Sequence, residues 1–129
     1  MTDCLLHSRD ARGVVTLTLN DAPRFNALGS EMLQALQEAL DTVAQDDSVR
    51  VVILAANGKA FCAGHNLKDM AAHPQLDYYQ DLFAQCSRMM LRIAKLPVPV
   101  IARVHGMATA AGCQLVAQCD LAVASADAS

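Results

Sequence analysis

Residues 59–70 read Lys-Ala-Phe-Cys-Ala-Gly-His-Asn-Leu-Lys-Asp-Met. They follow an apolar run, residues 49–56, in which Arg50 is the one charged residue, and a turn at Asn57-Gly58. This pattern predicts a buried strand that ends in a tight turn, after which small residues carry the backbone forward. Gly64 has no Cβ, so a ligand can approach the main chain closely there. We expect a helix to begin near His65, with free N–H groups that can bind a carbonyl oxygen or a developing oxyanion.

Length and composition restrict the classes of protein that this chain can be. It has 129 residues, which is enough for one domain with a hydrophobic core. Its net charge of −3 gives no basic surface for nucleic acid. No apolar stretch reaches the roughly 18 residues of a membrane span, and the N-terminus lacks a secretory signal pattern. We therefore expect a single-domain cytoplasmic protein, residues 1–129, that binds neither nucleic acid nor membranes.

The cysteines argue against both a disulfide framework and structural zinc. Their number is odd, and no pair has the Cys-x-x-Cys spacing of common zinc sites. The simpler interpretation is that they are small apolar residues of a protein in a reducing compartment. We accordingly expect no metal site. The five are Cys4, Cys62, Cys86, Cys113 and Cys119.

Alternating strand and helix patterns predict an α/β domain. Apolar and polar residues alternate at positions 14–19, as in a half-exposed strand, whereas two longer segments carry apolar residues at helical spacing. The predicted elements are a hairpin of strands 5–9 and 14–19, a loop over 20–26, a helix over 31–44 with Ser30 as N-cap and a buried strand over 49–56. An irregular segment over 71–76, a helix over 78–95, a strand over 98–104, a short helix from 109 or 110 to 118, and a strand beginning at Leu121 complete the set.

Two features of these elements depend on a few residues. Pro99 cannot donate a ladder hydrogen bond, so we expect that end of its strand to lie at a sheet edge or a bulge. The second long helix carries a stripe that includes Met89 and Met90. Methionines at this spacing can line a ligand tunnel, but core packing is the interpretation we favour.

Three segments resemble the motifs of one known family. Residues 59–67, Lys-Ala-Phe-Cys-Ala-Gly-His-Asn-Leu, resemble one signature of the crotonase superfamily, the enoyl-CoA hydratases and isomerases. Residues 104–120, Val-His-Gly-Met-Ala-Thr-Ala-Ala-Gly-Cys-Gln-Leu-Val-Ala-Gln-Cys-Asp, resemble the other. The loop 20–28, with Asn26-Ala27, resembles the N-terminal motif, although Pro23 sits one place later than usual. The motifs fall in the family's order, and the likeness is greatest to its enoyl-CoA hydratase domain-containing branch.

The resemblance implies a fold and an assembly. Crotonase-like proteins form an α/β spiral of β-β-α units, followed by a C-terminal helical region that builds trimers and dimers of trimers. Their chains are much longer, so this chain is expected to cover the first half of the spiral without the helical region. A homo-oligomer, a trimer or a hexamer, is the assembly that the resemblance implies.

The resemblance also implies an acyl-CoA site. The family holds the thioester oxygen with two backbone N–H groups, which by position belong to His65 and Ala111. The residues fit this role, because both lie among small residues near expected helix starts. For Ala110-Ala111-Gly112 the alternative is close helix–strand packing. We expect the His65 imidazole to be a bystander rather than a general base.

Coenzyme A would enter as part of the substrate, with no separate cofactor. By resemblance, the thioester and pantetheine end lies against one loop, the adenine meets backbone groups of another, and basic side chains face the phosphates. For each basic side chain the alternative is ordinary solvated charge, and for Asp69 an exposed helical carboxylate is favoured over an acid or base. The implied residues are His65, Asn66, Leu67 and Lys68 for the thioester end, Ala27 and Ala63 for the adenine, and Arg24, Lys59 and Lys68 for the phosphates.

One departure from the family pattern concerns the reaction itself. The well-studied hydratases use two glutamates, and the first stands three residues after the second oxyanion donor. Here that position is Gln114, whose neutral amide can hold a water but cannot accept its proton. The second glutamate would fall beyond Ser129.

Three hypotheses are therefore compatible with the sequence. The first is an acyl-CoA enzyme that polarises a thioester and stabilises an enolate, with ordinary hydration doubtful. The second is a catalytically impaired acyl-CoA-binding module. The third is a truncated fragment that acts through partners.

Overall fold

Local patterns in the sequence build seven strands, four α-helices and one short 3-10 helix (Ala22–Arg24) in the part of the chain that the structure describes. The structure is a computed structural model that describes residues 3–65, 67–72 and 75–126. The strands are β1 (Leu5–Arg9), β2 (Val14–Leu19), β3 (Val51–Ala56), β4 (Ala60–Cys62), β5 (Val100–Val104), β6 (Met107–Ala108) and β7 (Leu121–Ala124). The α-helices are α1 (Ser30–Ala44), α2 (Leu67–Ala72), α3 (Leu76–Ala94) and α4 (Ala111–Gln118).

The described strands form two sheets. The larger has the order β1-β2-β3-β5-β7, in which β1 is antiparallel to β2 and the other neighbours are parallel. The smaller is a parallel pair of β4 and β6. Parallel neighbours need crossover connections, and helices α1, α3 and α4 lie in three of those crossovers. The α/β prediction is confirmed.

The N-terminal hairpin has the predicted bounds and one buried face. Val15, Leu17 and Leu19 are buried, while the intervening residues are only half-buried. The turn passes through Gly13, whose φ of +85° is the left-handed conformation that favours glycine. The period of two in the sequence therefore identified the side of β2 that faces the core.

The long helices bury the predicted stripes but begin differently. All residues of the predicted α3 stripe are buried, with Met89 fully so, which confirms core packing. Ser30 is not the N-cap of α1: Gly29 is, and Ser30 is the first helical residue. The Ser30 hydroxyl donates to the Gln85 side-chain oxygen at 3.2 Å, and the Gln85 amide donates to the Ser30 carbonyl at 3.1 Å. The hydroxyl thus joins two helices.

Other differences concern short elements and one proline. The predicted loop after β3 contains β4, and α2 covers part of the segment predicted to be irregular. Strand β5 begins at Val100 and lies between β3 and β7, so the expectation of an edge or bulge at Pro99 is wrong. Pro99 instead precedes the strand, where its carbonyl accepts the Val52 N–H at 3.0 Å. No helix among the described residues is long and apolar enough to cross a membrane.

Helix α4 rests directly on β4 at Gly112. A Cβ at this position would lie 2.9 Å from the Cys62 Cβ and would overlap the Cys62 carbonyl oxygen. Contacts this short are repulsive, and the Cys62 side chain is itself fully buried. The absence of a side chain at Gly112 is therefore what lets α4 begin close to β4.

We expect Gly112→Ala to lower the free energy of unfolding by about 1–3 kcal/mol, because the added methyl group must displace the Cys62 main chain. Cys113→Ala, at an exposed neighbouring position in α4, is the matched control and should change it by less than about 0.5 kcal/mol. Urea unfolding followed by circular dichroism measures both. Equal stability of the two variants would contradict the packing described for α4.

Candidate active site

The parallel pairing of β4 with β6 brings two chain segments together. Cys62 at the end of β4 is paired with Ala108 at the end of β6. The Thr109 N–H donates to the Cys62 carbonyl at 3.1 Å, and the Thr109 hydroxyl donates to the Ala63 carbonyl at 3.4 Å. Because both strands run in the same direction, the residues that leave them continue side by side.

Gly64 lets these segments approach closely. Its φ is +89°, and a Cβ built on it would lie 3.1 Å from the Ala111 amide nitrogen and 3.1 Å from the Thr109 carbonyl oxygen. A larger residue would be strained by the backbone conformation and crowded by the neighbouring main chain. The segment before His65 is thus held against the first turn of α4.

The Ala111 amide is unpaired within the described residues. The N–H groups of Gly112 and Cys113 both reach the Thr109 carbonyl, at 2.8 and 3.4 Å, and the Gln114 N–H reaches the Ala110 carbonyl at 3.1 Å. Ala111 has no such acceptor in the described part of the chain. Its N–H lies at the start of α4, where the helix dipole favours negative charge.

Backbone strain accompanies this donor. Ala110 precedes α4 with φ +51° and ψ −124°, a conformation that residues with a Cβ rarely adopt. Strain of this kind is concentrated at functional sites, where the surrounding structure enforces it. Here the flanking hydrogen bonds of Thr109 and Gln114 enforce it.

The second predicted donor, His65, also lacks a backbone acceptor among the described residues. Its ring packs edge-on against Phe83 of α3, with centroids 5.0 Å apart. The ring nitrogen Nδ1 is buried and has no hydrogen-bond partner in the described part of the molecule. An imidazole without a carboxylate or another orienting group is poorly suited to act as a general base. The geometry therefore agrees with a backbone role for His65.

A buried asparagine fixes the loop of residues 20–28 beside this site. The Asn26 side-chain amide donates to the carbonyls of Asn57 and Ala60, at 2.8 and 3.0 Å, and its oxygen accepts the Asp21 N–H at 2.7 Å. Asn26 is completely buried, and these bonds satisfy its polar atoms. The sequence analysis placed Asn26 in a motif but did not identify this structural role.

Two main-chain hydrogen bonds join the same loop to the segment before His65. The Ala63 N–H donates to the Phe25 carbonyl at 3.0 Å, and the Leu28 N–H donates to the Gly64 carbonyl at 2.6 Å. Predicted adenine contacts Ala27 and Ala63 therefore lie on adjoining segments. In the sequence, only the order of the family motifs indicated that these two segments lie close together.

The predicted phosphate contacts are only partly described. Arg24 is exposed, and its guanidinium lies 3.5 Å from the Asp21 carboxylate. Lys59 is exposed immediately before β4. Residues Leu67, Lys68 and Asp69 lie in α2, but their side chains, like the whole of Asn66, are outside the described residues. The predicted roles of Asn66, Leu67, Lys68 and Asp69 therefore stay predictions.

Gln114 occupies the position at which the family pattern has a glutamate. Its side chain is exposed and makes no hydrogen bond to a described residue. No nearby buried thiol replaces the missing base: burial raises the pKa of Cys62 to about 11 and that of Cys119 to about 12. Both thiols are protonated at neutral pH and are weak nucleophiles.

Helix α3 supplies two contacts that the sequence analysis missed. Phe83 packs on His65, and the Tyr79 hydroxyl donates to the Met70 carbonyl in α2 at 2.7 Å. Both side chains lie on α3 and act across a loop, so no local sequence pattern indicates their partners. Together they connect α3 to the segment that follows β4.

Comparison with known proteins assigns the family. The family described as Enoyl-CoA hydratase/isomerase matches residues 9–129. "Enoyl-CoA hydratase domain-containing protein 3, mitochondrial" of Xenopus laevis is 48% identical over 113 residues, which are 88% of this chain and 38% of the relative. The 1,2-epoxyphenylacetyl-CoA isomerase of Escherichia coli (strain K12) is 39% identical over 118 residues, 88% of this chain and 45% of the relative.

Solved structures agree with the assignment. The crystal structure of an enoyl-CoA hydratase of Mycobacterium smegmatis is 66% identical, with a TM-score of 0.95 over 97% of this chain and 49% of that one. Human enoyl-CoA hydratase domain-containing protein 3 is 40% identical, with a TM-score of 0.88 over 94% of this chain and 47% of that one. The chain spans less than half the length of the two curated relatives named above. It belongs to the enoyl-CoA hydratase/isomerase family, and its α/β architecture is the crotonase fold.

Proposed function

We propose that this chain binds an acyl-CoA thioester and that the backbone N–H groups of His65 and Ala111 form an oxyanion hole for its carbonyl oxygen. The observation that carries the proposal is the close approach of Gly64 to the Ala111 nitrogen, which would lie 3.1 Å from a Cβ at Gly64. This approach places the segment that leads to His65 against the Ala111 N–H. Both amides lack an acceptor among the described residues.

The chemistry proposed for this pair is polarisation of the thioester and stabilisation of an enolate. Negative charge that develops on the carbonyl oxygen would meet two oriented dipoles and the N-terminus of α4. Each donor of this kind contributes about 3 kcal/mol in a transition state. Because backbone groups need no side-chain ordering, this stabilisation is available without rearrangement of the site.

The coenzyme A moiety would lie along the loops that join this site. Ala27 and Ala63 would contact the adenine through backbone groups, and Arg24, Lys59 and Lys68 would approach the phosphates. The hydrogen bonds between residues 25–28 and 63–64 support the adenine assignment, since they hold both loops together. His65, Asn66, Leu67 and Lys68 would line the pantetheine and thioester.

The side chain of Gln114 is what distinguishes a catalytic from a purely binding version of this proposal. A neutral amide cannot remove a proton from water, and loss of a general base costs about 10²–10⁴-fold in rate. We therefore propose a thioester enzyme of the hydratase/isomerase type with little ordinary hydratase activity. The second candidate is an acyl-CoA-binding module that acts through partners. The exposed amide of Gln114, which has no partner among the described residues, favours it.

Assembly as a homo-oligomer, a trimer or hexamer, is part of the same proposal. Leu121 and Val123 in edge strand β7 are 63% and 62% exposed, which supports the presence of further protein on this edge. Sedimentation velocity of the chain tests this directly, and a stable monomer at micromolar concentration would contradict it. Cytoplasmic localisation remains a prediction.

We expect Ala111→Pro to remove one oxyanion donor, because proline has no N–H yet fits the first position of a helix. The affinity for acetyl-CoA should fall about tenfold. The infrared carbonyl band of bound ¹³C-labelled acetyl-CoA should shift less to lower frequency than in the unmodified protein. Ala111→Ser keeps the N–H and serves as the control, with circular dichroism to verify folding of both. An unchanged band in the folded proline variant would contradict the oxyanion hole.

Gln114→Glu is expected to restore a proton acceptor at the exposed position. If the chain is a disabled hydratase, hydration of crotonyl-CoA should rise by at least about 100-fold over the unmodified protein. Cys113→Ala, next to it in α4, should leave the rate unchanged. Absence of any increase, together with unchanged crotonyl-CoA affinity, would favour the binding module over the enzyme.

A further inference from the structure

An open groove separates β1 from α1, away from the candidate active site. Its cavity volume is about 760 Å³, and none of the described residues that line it belongs to the proposed oxyanion hole or coenzyme A contacts. Grooves of this size are large enough for a ligand or a segment of another protein.

The groove exists because the helix layer ends over β2. In the β-hairpin, His7 is paired with Leu17 and Arg9 with Val15, and directly opposite residues point to the same face of a sheet. Leu17 and Val15 are buried, whereas His7 and Arg9 are exposed. Thus the inner face of β2 is covered, as is Leu5 at the start of β1, whereas the same face of β1 is uncovered from His7 to Arg9.

The groove has an apolar floor and an acidic rim. Leu17, Ala39 and Val43 are buried residues of its floor. Glu31 and Glu38 of α1 line its rim, two helical turns apart, and neither forms an ion pair with a described residue. The spacing of seven residues in a helix corresponds to about 10.5 Å.

The arginine that lines the groove does not neutralise this rim. Arg9 is already paired with Asp46 at 2.7 Å. The charge of Glu31 also acts at the end of the groove, on Cys4. Burial is the main cause that raises the pKa of the Cys4 thiol, and the negative charge of Glu31 is the second. A partner that fits must therefore combine an apolar face with positive charge.

We propose that the α1–β1 groove is a docking site for a basic amphipathic helix of a partner protein. Such a helix would lie beside α1, at the usual separation of about 8–10 Å, and would continue the helix layer over β1. Its apolar stripe would cover the floor, and Lys or Arg residues seven positions apart would face Glu31 and Glu38.

The same features disfavour two other occupants. The charged side chain of Arg9 is of the kind that discourages addition of another strand to an edge such as β1. A second copy that docked through its own α1 would place Glu31 and Glu38 against their equivalents, and like charges across an interface are repulsive.

The test uses two capped 15-residue peptides labelled with fluorescein, whose binding to the chain is followed by fluorescence anisotropy. One has leucines at helical spacing with lysines elsewhere, and the other has glutamates in place of the lysines. Glu38→Lys changes the rim, and Asp81→Lys on the exposed face of α3 changes the net charge by the same amount. Ala35→Trp blocks the groove without a change of charge.

We expect the lysine peptide to bind the unmodified chain and the Asp81→Lys variant equally. Glu38→Lys and Ala35→Trp should each weaken binding at least about tenfold, with circular dichroism unchanged, and the glutamate peptide should not bind. Equal weakening by Glu38→Lys and Asp81→Lys would overturn the proposal, since it would show attraction by net charge alone.

Hydrogen exchange and sedimentation distinguish the other occupants. Helix docking should slow exchange in α1, whereas added protection confined to the β1 edge would overturn the proposal in favour of strand addition. A dimer of the chain alone that Ala35→Trp converts to monomer would likewise overturn it, in favour of a second copy.

Discussion

The pairing of β4 with β6 is the constraint on which the candidate site depends. These strands have only three and two residues, yet their parallel direction makes both chain segments leave the pair on the same side. Gly112 then allows α4 to begin against Cys62, and Gly64 allows the preceding segment to meet the first turn of α4. If either glycine carried a side chain, the two donors would be forced apart.

A second layer of support comes from the buried side chain of Asn26. Its three hydrogen bonds replace the water that this polar group would otherwise bind, and they connect residues 21, 57 and 60. The loop of residues 20–28 is therefore fixed relative to β4 before any ligand arrives. A ligand that contacts both loops would not have to order them, which reduces the entropic cost of binding.

The sequence predicted the longer elements well because their periodicity is local. The hairpin bounds, the buried stripes of both long helices and the position of β7 all follow from residue spacing. Strands β4 and β6 escaped prediction because two or three residues show no period. The cap at Ser30 was wrong because its hydroxyl serves a helix–helix contact with Gln85 that depends on tertiary packing.

The functional roles of the candidate site residues stay predictions, and they rest on motifs rather than on residue spacing. The positions of His65 and Ala111 came from motifs, and the structure adds the glycine contact and the absence of described acceptors. Two of the three partners of Asn26, Asn57 and Ala60, are more than thirty residues away and could not be inferred locally. The contact of Phe83 with His65 depends on how α3 packs, which residue spacing alone does not specify.

The location of the proposed donors on the main chain has an evolutionary consequence. Every residue except proline has a backbone N–H. The side chains at positions 65 and 111 can therefore change during evolution while the two proposed donors remain. An acid–base side chain, such as the glutamate that the family pattern has at the position of Gln114, has no such tolerance, because one substitution removes the proton-transfer function. Descendants of one scaffold can thus keep the capacity to polarise a thioester while they exchange, or abandon, the reaction that follows.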